Sequence, residues 1–180
     1  RAHLAEVGIE IVQADTLTPD VPSTSHFSVI DRRGQAVSLT STIESGFGSG
    51  LMVNGYFLNN ELTDFSLVPT RDGKVVANRV EAGKRPRSSM APTLVYAPDG
   101  KLRMSIGAAG GATIPVQVAK AIIGVIDWKL TAEQAIALPT LFAAGFGPGG
   151  APISVEQGGT LEAMVPALKA LGHADVVARS

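Results

Sequence analysis

Two pairs of β-rich runs, each folded about a glycine turn and followed by one long apolar run, constrain this chain more than any other feature. Residues 26–31 and 36–42 flank Arg32-Arg33-Gly34, and glycine at such a turn supplies the positive φ that closes a hairpin at little steric cost. Residues 92–96 and 102–106 flank Pro98-Asp99-Gly100 in the same way. Residues 112–128 are apolar on most faces, which predicts a buried helix lying against a sheet. Thr131 and Gln134 have the spacing of a capping box, so a short helix should follow and end before Pro139. Residues 153–155 predict a strand, and 161–171 a last helix stopped by Gly172, although Pro166 is a helix breaker inside it. Residues 51–58 predict one more strand between the Gly46-Phe47-Gly48-Ser49-Gly50 loop and Asn59-Asn60, and the polar stretch 70–86 a surface loop. Upstream, residues 1–12 predict a short helix and 16–23, with Pro19 and Pro22, an extended linker. Strands, then helices, then strand and helix give an α+β layered domain.

Composition narrows the partners. A chain of 180 residues, 45% hydrophobic and without a sharp composition shift, reads as one globular unit. With 15 Lys and Arg against 16 Asp and Glu, the net charge of -1 leaves no basic field for nucleic acid or an anionic membrane surface. The longest apolar stretch, 114–128, is broken by Gln117, Lys120 and Asp127, so nothing reads as membrane-spanning, and residues 1–10 lack a signal-peptide core. Cysteine is absent, which removes disulfides, thiol nucleophiles and thiolate metal sites together. Glycine, 20 of 180, exceeds the usual roughly 7%. Its clusters fall where backbone must turn tightly or approach a ligand, which hints at a site built partly from main chain.

The familiar nucleophile systems fail here: there is no Gly-x-Ser-x-Gly elbow, and His3, His26 and His173 are scattered without metal-ligand spacing. A threonine that uses its own α-amino group as base needs neither histidine nor cysteine. Such a residue must sit at the start of a strand, immediately after a cut. Thr24 occupies that position, between a proline-bearing linker and the first strand. By position alone it reads as an ordinary strand-leading threonine.

Further motifs accompany it. Thr24-Ser25-His26-Phe27-Ser28-Val29 resembles the start of the small subunit in the γ-glutamyltransferase family. The resemblance continues in order through Thr40-Ser41-Thr42, Phe47-Gly48-Ser49-Gly50, the run from Leu58-Asn59-Asn60-Glu61 to Asp64-Phe65-Ser66, Arg87-Ser88-Ser89-Met90-Ala91-Pro92-Thr93, and Gly107-Ala108-Ala109-Gly110-Gly111. It implies the αββα sandwich of N-terminal-nucleophile hydrolases, in truncated form. It also implies a division at residue 24, with residues 1–23 ending the large-subunit region and 24–180 forming a small catalytic subunit that is incomplete at its C-terminus.

By the same resemblance Thr24 is the nucleophile, Thr42 hydrogen-bonds to it, and the backbone N–H groups of Gly110 and Gly111 hold the oxyanion. The glycine pair also precedes a predicted helix, where outward-pointing amides carry partial positive charge. Glu61 and Asp64 match positions that bind the α-ammonium of a γ-glutamyl group. Ser88 and Ser89 match the pair that binds its α-carboxylate, though two serines beside Lys84, Arg85 and Arg87 also suit a polar loop.

Glu44 departs from the better-known members, which carry asparagine there. Three carboxylates around one ammonium are an electrostatic excess unless one is protonated or a cation pairs with it. The implied activity is γ-glutamyl transfer or hydrolysis on glutathione and related compounds, passing the acyl group to water, an amino acid or a peptide. It needs the large subunit of the same precursor as partner and neither cofactor nor metal. An acylase of β-lactam side chains, a poly-γ-glutamate depolymerase, or a catalytically silent interaction module stay open as alternatives. The residues fix no compartment; the resemblance allows a periplasmic or secreted one.

Overall fold

The computed structural model describes residues 24–143, 152–173 and 175–179; the helix and linker expected over 1–12 and 16–23 lie outside them. The described residues pack as two compact units, one of residue 24 with 42–88, the other of 25–41 with 89–179.

In the second unit β1 (Ser25–Ile30) pairs antiparallel with β2 (Ala36–Ser41), from Ser25 opposite Ser41 to Ile30 opposite Ala36. Asp31 accepts the N–H groups of Arg33 and Gln35 at 2.8 and 2.9 Å, and Gly34 takes φ 80°, so the turn forms as the sequence predicts. The second expected hairpin joins β7 (Thr93–Tyr96) and β8 (Leu102–Ile106). The polar face of β1–β2 meets β8: Ser38 donates to the Ile106 carbonyl at 3.1 Å and Ser105 to Ser28 at 2.8 Å. The opposite face carries Phe27, Val29, Val37 and Leu39, which are 43 to 54% exposed. Alternation along these strands thus puts polar side chains against protein and apolar ones outward.

A 3₁₀ turn, Gly111–Thr113, leads into α1 (Ile114–Ile126). Its buried residues are Ile114, Val118, Ala121 and Gly124, a single stripe at helical spacing. Burial is therefore narrower than the apolar sequence suggests, and Ile123 is 41% exposed. Helix α2 (Ala132–Ile136) has the expected capping box, with Thr131 accepting from the Gln134 N–H and the Gln134 side chain from the Thr131 N–H.

A three-stranded sheet follows, with β10 (Ile153–Glu156) between β9 (Leu141–Ala143) and β11 (Val176–Arg179). β10 and β11 are parallel, so a crossover must join them, and α3 (Thr160–Ala163) with α4 (Val165–Ala170) supplies it. The single helix expected over 161–171 is these two, parted at Met164. Pro166 falls in the first turn of α4, where its missing N–H leaves no hydrogen bond unmade.

In the first unit the strand expected over 51–58 is a tight hairpin, β3 (Met52–Val53) with β4 (Tyr56–Phe57). Asn54 and Gly55 both take positive φ, 51° and 84°, and reverse the chain. The 70–86 stretch likewise opens as a hairpin, β5 (Thr70–Arg71) with β6 (Lys74–Val75), and Val76 behind it is 1% exposed. That segment is an anchored element rather than a wholly surface loop. Among the described residues no helix is long and apolar enough to cross a membrane, and no group of three His, Cys, Asp or Glu side chains could hold a metal ion.

Candidate active site

Thr24 and Thr42 flank the β1–β2 hairpin, one residue beyond the pair Ser25 and Ser41. The register sets them side by side, and Thr24 Oγ1 donates to Thr42 Oγ1 at 3.2 Å. Thr42 Oγ1 also accepts the backbone N–H of Glu44 at 2.9 Å, which fills both its lone pairs. In this bond Thr24 turns its proton toward Thr42, and the lone pairs of a hydroxyl are what attack a carbonyl.

Glu44 takes φ 74°, a left-handed conformation costly for a residue with a Cβ. Its carboxylate accepts from Ser45 Oγ at 2.6 Å and from Asn60 Nδ2. Asn60 Oδ1 accepts the Ser45 N–H at 3.0 Å, and the Asn60 N–H donates to the Ile43 carbonyl at 3.2 Å. One asparagine thus ties the segment carrying Glu44 to the 3₁₀ turn Glu61–Asp64 that carries the other two carboxylates. Burial first, then the charges of Asp64 and Glu44, raise the Glu61 carboxyl above its ordinary value. The Glu61 carboxyl thus lies within electrostatic reach of both Asp64 and Glu44. The Asp64 carbonyl accepts from Asn78 Nδ2 at 2.6 Å, and the next residue, Phe65, is buried. Exposed Ser88 ends this unit.

In the other unit, Ser89 is half-buried at its re-entry. Gly110 and Gly111 stand at the mouth of α1. Gly110 has φ 132° and ψ 25°, which needs a residue without Cβ, and Gly111 φ 55°, which favours one. Thr113 Oγ1 and the Thr113 N–H donate to the Gly110 carbonyl at 2.8 and 3.2 Å. Gln117 Nε2 donates to the Ala109 carbonyl at 3.1 Å and to Thr113 Oγ1 at 2.8 Å. At the other end of the loop a Cβ on Gly107 would run into the His26 ring, itself held by Thr40 Oγ1 at 2.9 Å.

A family model described as Gamma-glutamyltranspeptidase matches residues 3–179. The chain belongs to the gamma-glutamyltranspeptidase family. It is 43% identical over 129 residues to a glutathione hydrolase proenzyme of Arthroderma benhamiae, covering 68% of this chain and 22% of that protein. It is also 43% identical over 121 residues to the proenzyme of Bacillus subtilis, covering 66% of this chain and 20% of that one. The chain thus spans about a fifth of the length of these relatives. A mutant of the Helicobacter pylori gamma-glutamyltranspeptidase superposes with a TM-score of 0.73 at 34% identity, over 86% of this chain and 84% of the other. The fold is that of the family, an α+β N-terminal-nucleophile hydrolase, as the motifs imply.

Family motifs pointed to the residues bearing reactive or charged groups. They gave no role to Asn60, which ties the Glu44 segment to the 3₁₀ turn, or to Thr113 and Gln117, which hold the Gly110 and Ala109 carbonyls. Asn60 stood in a quoted motif but reads there only as a turn residue, and Gln117 reads only as an interruption of an apolar run.

Proposed function

We propose that this chain carries the nucleophile of an enzyme that transfers or hydrolyses γ-glutamyl groups, with glutathione and related γ-glutamyl compounds as donors. The hydrogen bond from Thr24 to Thr42, directly before the first strand, is the observation that carries the reading. Residues 1–23 are then the end of the large-subunit region and 24–180 belong to the small catalytic subunit. Activation begins when Thr24 Oγ attacks the Ser23 carbonyl carbon. The bond from that carbon to the Thr24 nitrogen breaks, the hydroxyl proton passes to the nitrogen, and an ester remains. Water hydrolyses the ester, giving a Ser23 carboxylate and a Thr24 with free hydroxyl and α-amine.

An α-amine titrates at roughly 7.7 to 8.0 and can take the hydroxyl proton near neutral pH. Thr24 Oγ then attacks the γ-amide carbon of the donor while the N–H groups of Gly110 and Gly111 receive the oxyanion. Collapse breaks the amide C–N bond, the leaving nitrogen takes the proton, and a γ-glutamyl ester forms on Thr24. Water, or the amine of an amino acid or peptide, attacks the ester and restores the hydroxyl. Glu44, Glu61 and Asp64 hold the donor ammonium, and Ser88 and Ser89 its carboxylate. The outward apolar face of β1–β2 supports the large subunit of the same precursor as partner, since such patches are commonly covered.

Glu44 favours a second reading, in which the acyl pocket suits another donor, as in a β-lactam side-chain acylase or a poly-γ-glutamate depolymerase. A catalytically silent module is the third. Full-length protein assayed with γ-glutamyl and glutaryl anilides separates them: the proposal expects aniline release from the γ-glutamyl donor, abolished in Thr24→Ala. Preference for the glutaryl donor would favour the second reading. Release undiminished in Thr24→Ala would refute the nucleophile.

A further inference from the structure

We infer that Gln117 is a positioning residue that sets the direction of both oxyanion-binding amides, a deduction that rests on the reading of Gly110 and Gly111 as those donors. In a planar trans peptide the C=O and N–H point in opposite directions, so pinning the carbonyl aims the amide. The carbonyl of Ala109 shares its peptide plane with the N–H of Gly110, and Gln117 Nε2 holds that carbonyl at 3.1 Å. The carbonyl of Gly110 shares its plane with the N–H of Gly111, and Thr113 Oγ1 holds it at 2.8 Å. Gln117 Nε2 donates to the same Thr113 hydroxyl at 2.8 Å. A hydroxyl that accepts from Gln117 is turned to give its own proton to Gly110, beside the Thr113 N–H that reaches the same carbonyl at 3.2 Å, so one side chain bears on both planes.

The brace is needed because glycine has little preference of its own. At φ 132° for Gly110 and 55° for Gly111, rotation of the intervening peptide would meet no Cβ to oppose it. Such a rotation would point the Gly110 carbonyl where the Gly111 N–H belongs. The side chains that prevent it also fill the space a side chain on Gly110 would need: a Cβ there would lie 2.7 Å from Gln117 Nε2 and 2.8 Å from Thr113 Oγ1. Positions 113 and 117 are one helical turn apart at the start of α1, so the helix presents both to the loop ahead of it.

The test uses the full-length, self-cleaved enzyme, with active sites counted by the burst of aniline that acylation of Thr24 releases. Gln117→Leu keeps the bulk and loses the donor. It should lower kcat per active site by about 10- to 100-fold with KM within about twofold, since misaligned donors fail mainly in the transition state. Thr113→Val should show the same split. Thr113→Ser, which keeps the hydroxyl, should recover kcat to within about threefold. The double variant should lose little more than the worse single one, because both act on the same loop. A kcat per site within twofold of the unmutated enzyme in both Gln117→Leu and Thr113→Val, or a loss of sites alone, would overturn the inference while leaving the catalytic reading intact. An undiminished kcat in Gly110→Ala would instead remove the reading beneath it.

Discussion

At the scale of single residues, Glu61 gives the site a measurable pH signature. Its carboxyl is raised above the ordinary 4.5, by burial first and by Asp64 and Glu44 after that. A folded pKa above the unfolded one contributes stability that is full below about 4.5 and is lost as pH rises through the folded value. An ammonium placed among the three carboxylates opposes the two charge effects and lowers that pKa again. Binding of glutamate, the product of the proposed hydrolysis, to the processed enzyme should therefore release a proton at a pH between the ordinary carboxyl value and the raised one. Calorimetry in two buffers of different ionisation enthalpy reads the proton directly, and Glu61→Gln should abolish it. Binding without proton release in the unmutated enzyme would place Glu61 away from the ammonium. Thr24, Thr42 and the carboxylates were candidates in the sequence because their motifs resemble the family's, and folding brings Thr24 to Thr42 and places Glu61 within electrostatic reach of Asp64 and Glu44. Asn60 and Gln117 were not, since an amide acts through what it touches, and its partners at Glu44 and Ala109 become neighbours only on folding.

At the scale of elements, α1 and α2 meet at a contact that decides a substitution by magnitude. A Cβ on Gly124 would lie 2.9 Å from the Ala135 Cβ and 3.1 Å from Leu138 Cδ1, and Ala135 is fully buried. Gly→Ala inside a helix gains roughly 0.5 to 1 kcal/mol from propensity, whereas overpacking typically costs about 1 to 3. Gly124→Ala should therefore lower the thermal midpoint of the protein; a higher midpoint would show that α2 yields freely. The elements legible in advance were those with local signals: the two hairpins closed by Gly34 and Gly100, and the capping box at Thr131. Asn54-Gly55 and Asp72-Gly73 carried an equally local signal, but strands of only two residues gave no alternation to confirm it. The β9–β10–β11 sheet was legible only at β10, because a parallel partner and a strand of three residues depend on pairing distant in sequence.

At the scale of the whole molecule, the chain spans about a fifth of the length of the Arthroderma benhamiae and Bacillus subtilis proenzymes and presents four large apolar side chains on one face of β1–β2. The inverted alternation there could not be foreseen, because a sequence shows which residues share a face but not which face is covered. Both features fit a segment that acts as part of a longer precursor, and the central claim is that this precursor cuts itself before Thr24. The most direct measurement is mass spectrometry of the purified full-length protein, with Thr24→Ala and Thr24→Ser alongside. The account predicts a new N-terminus at Thr24 in the unmutated protein, an uncut chain in Thr24→Ala and partial cutting in Thr24→Ser, which keeps the hydroxyl. An unmutated protein that stays whole, a cut elsewhere, or normal cutting in Thr24→Ala would contradict it.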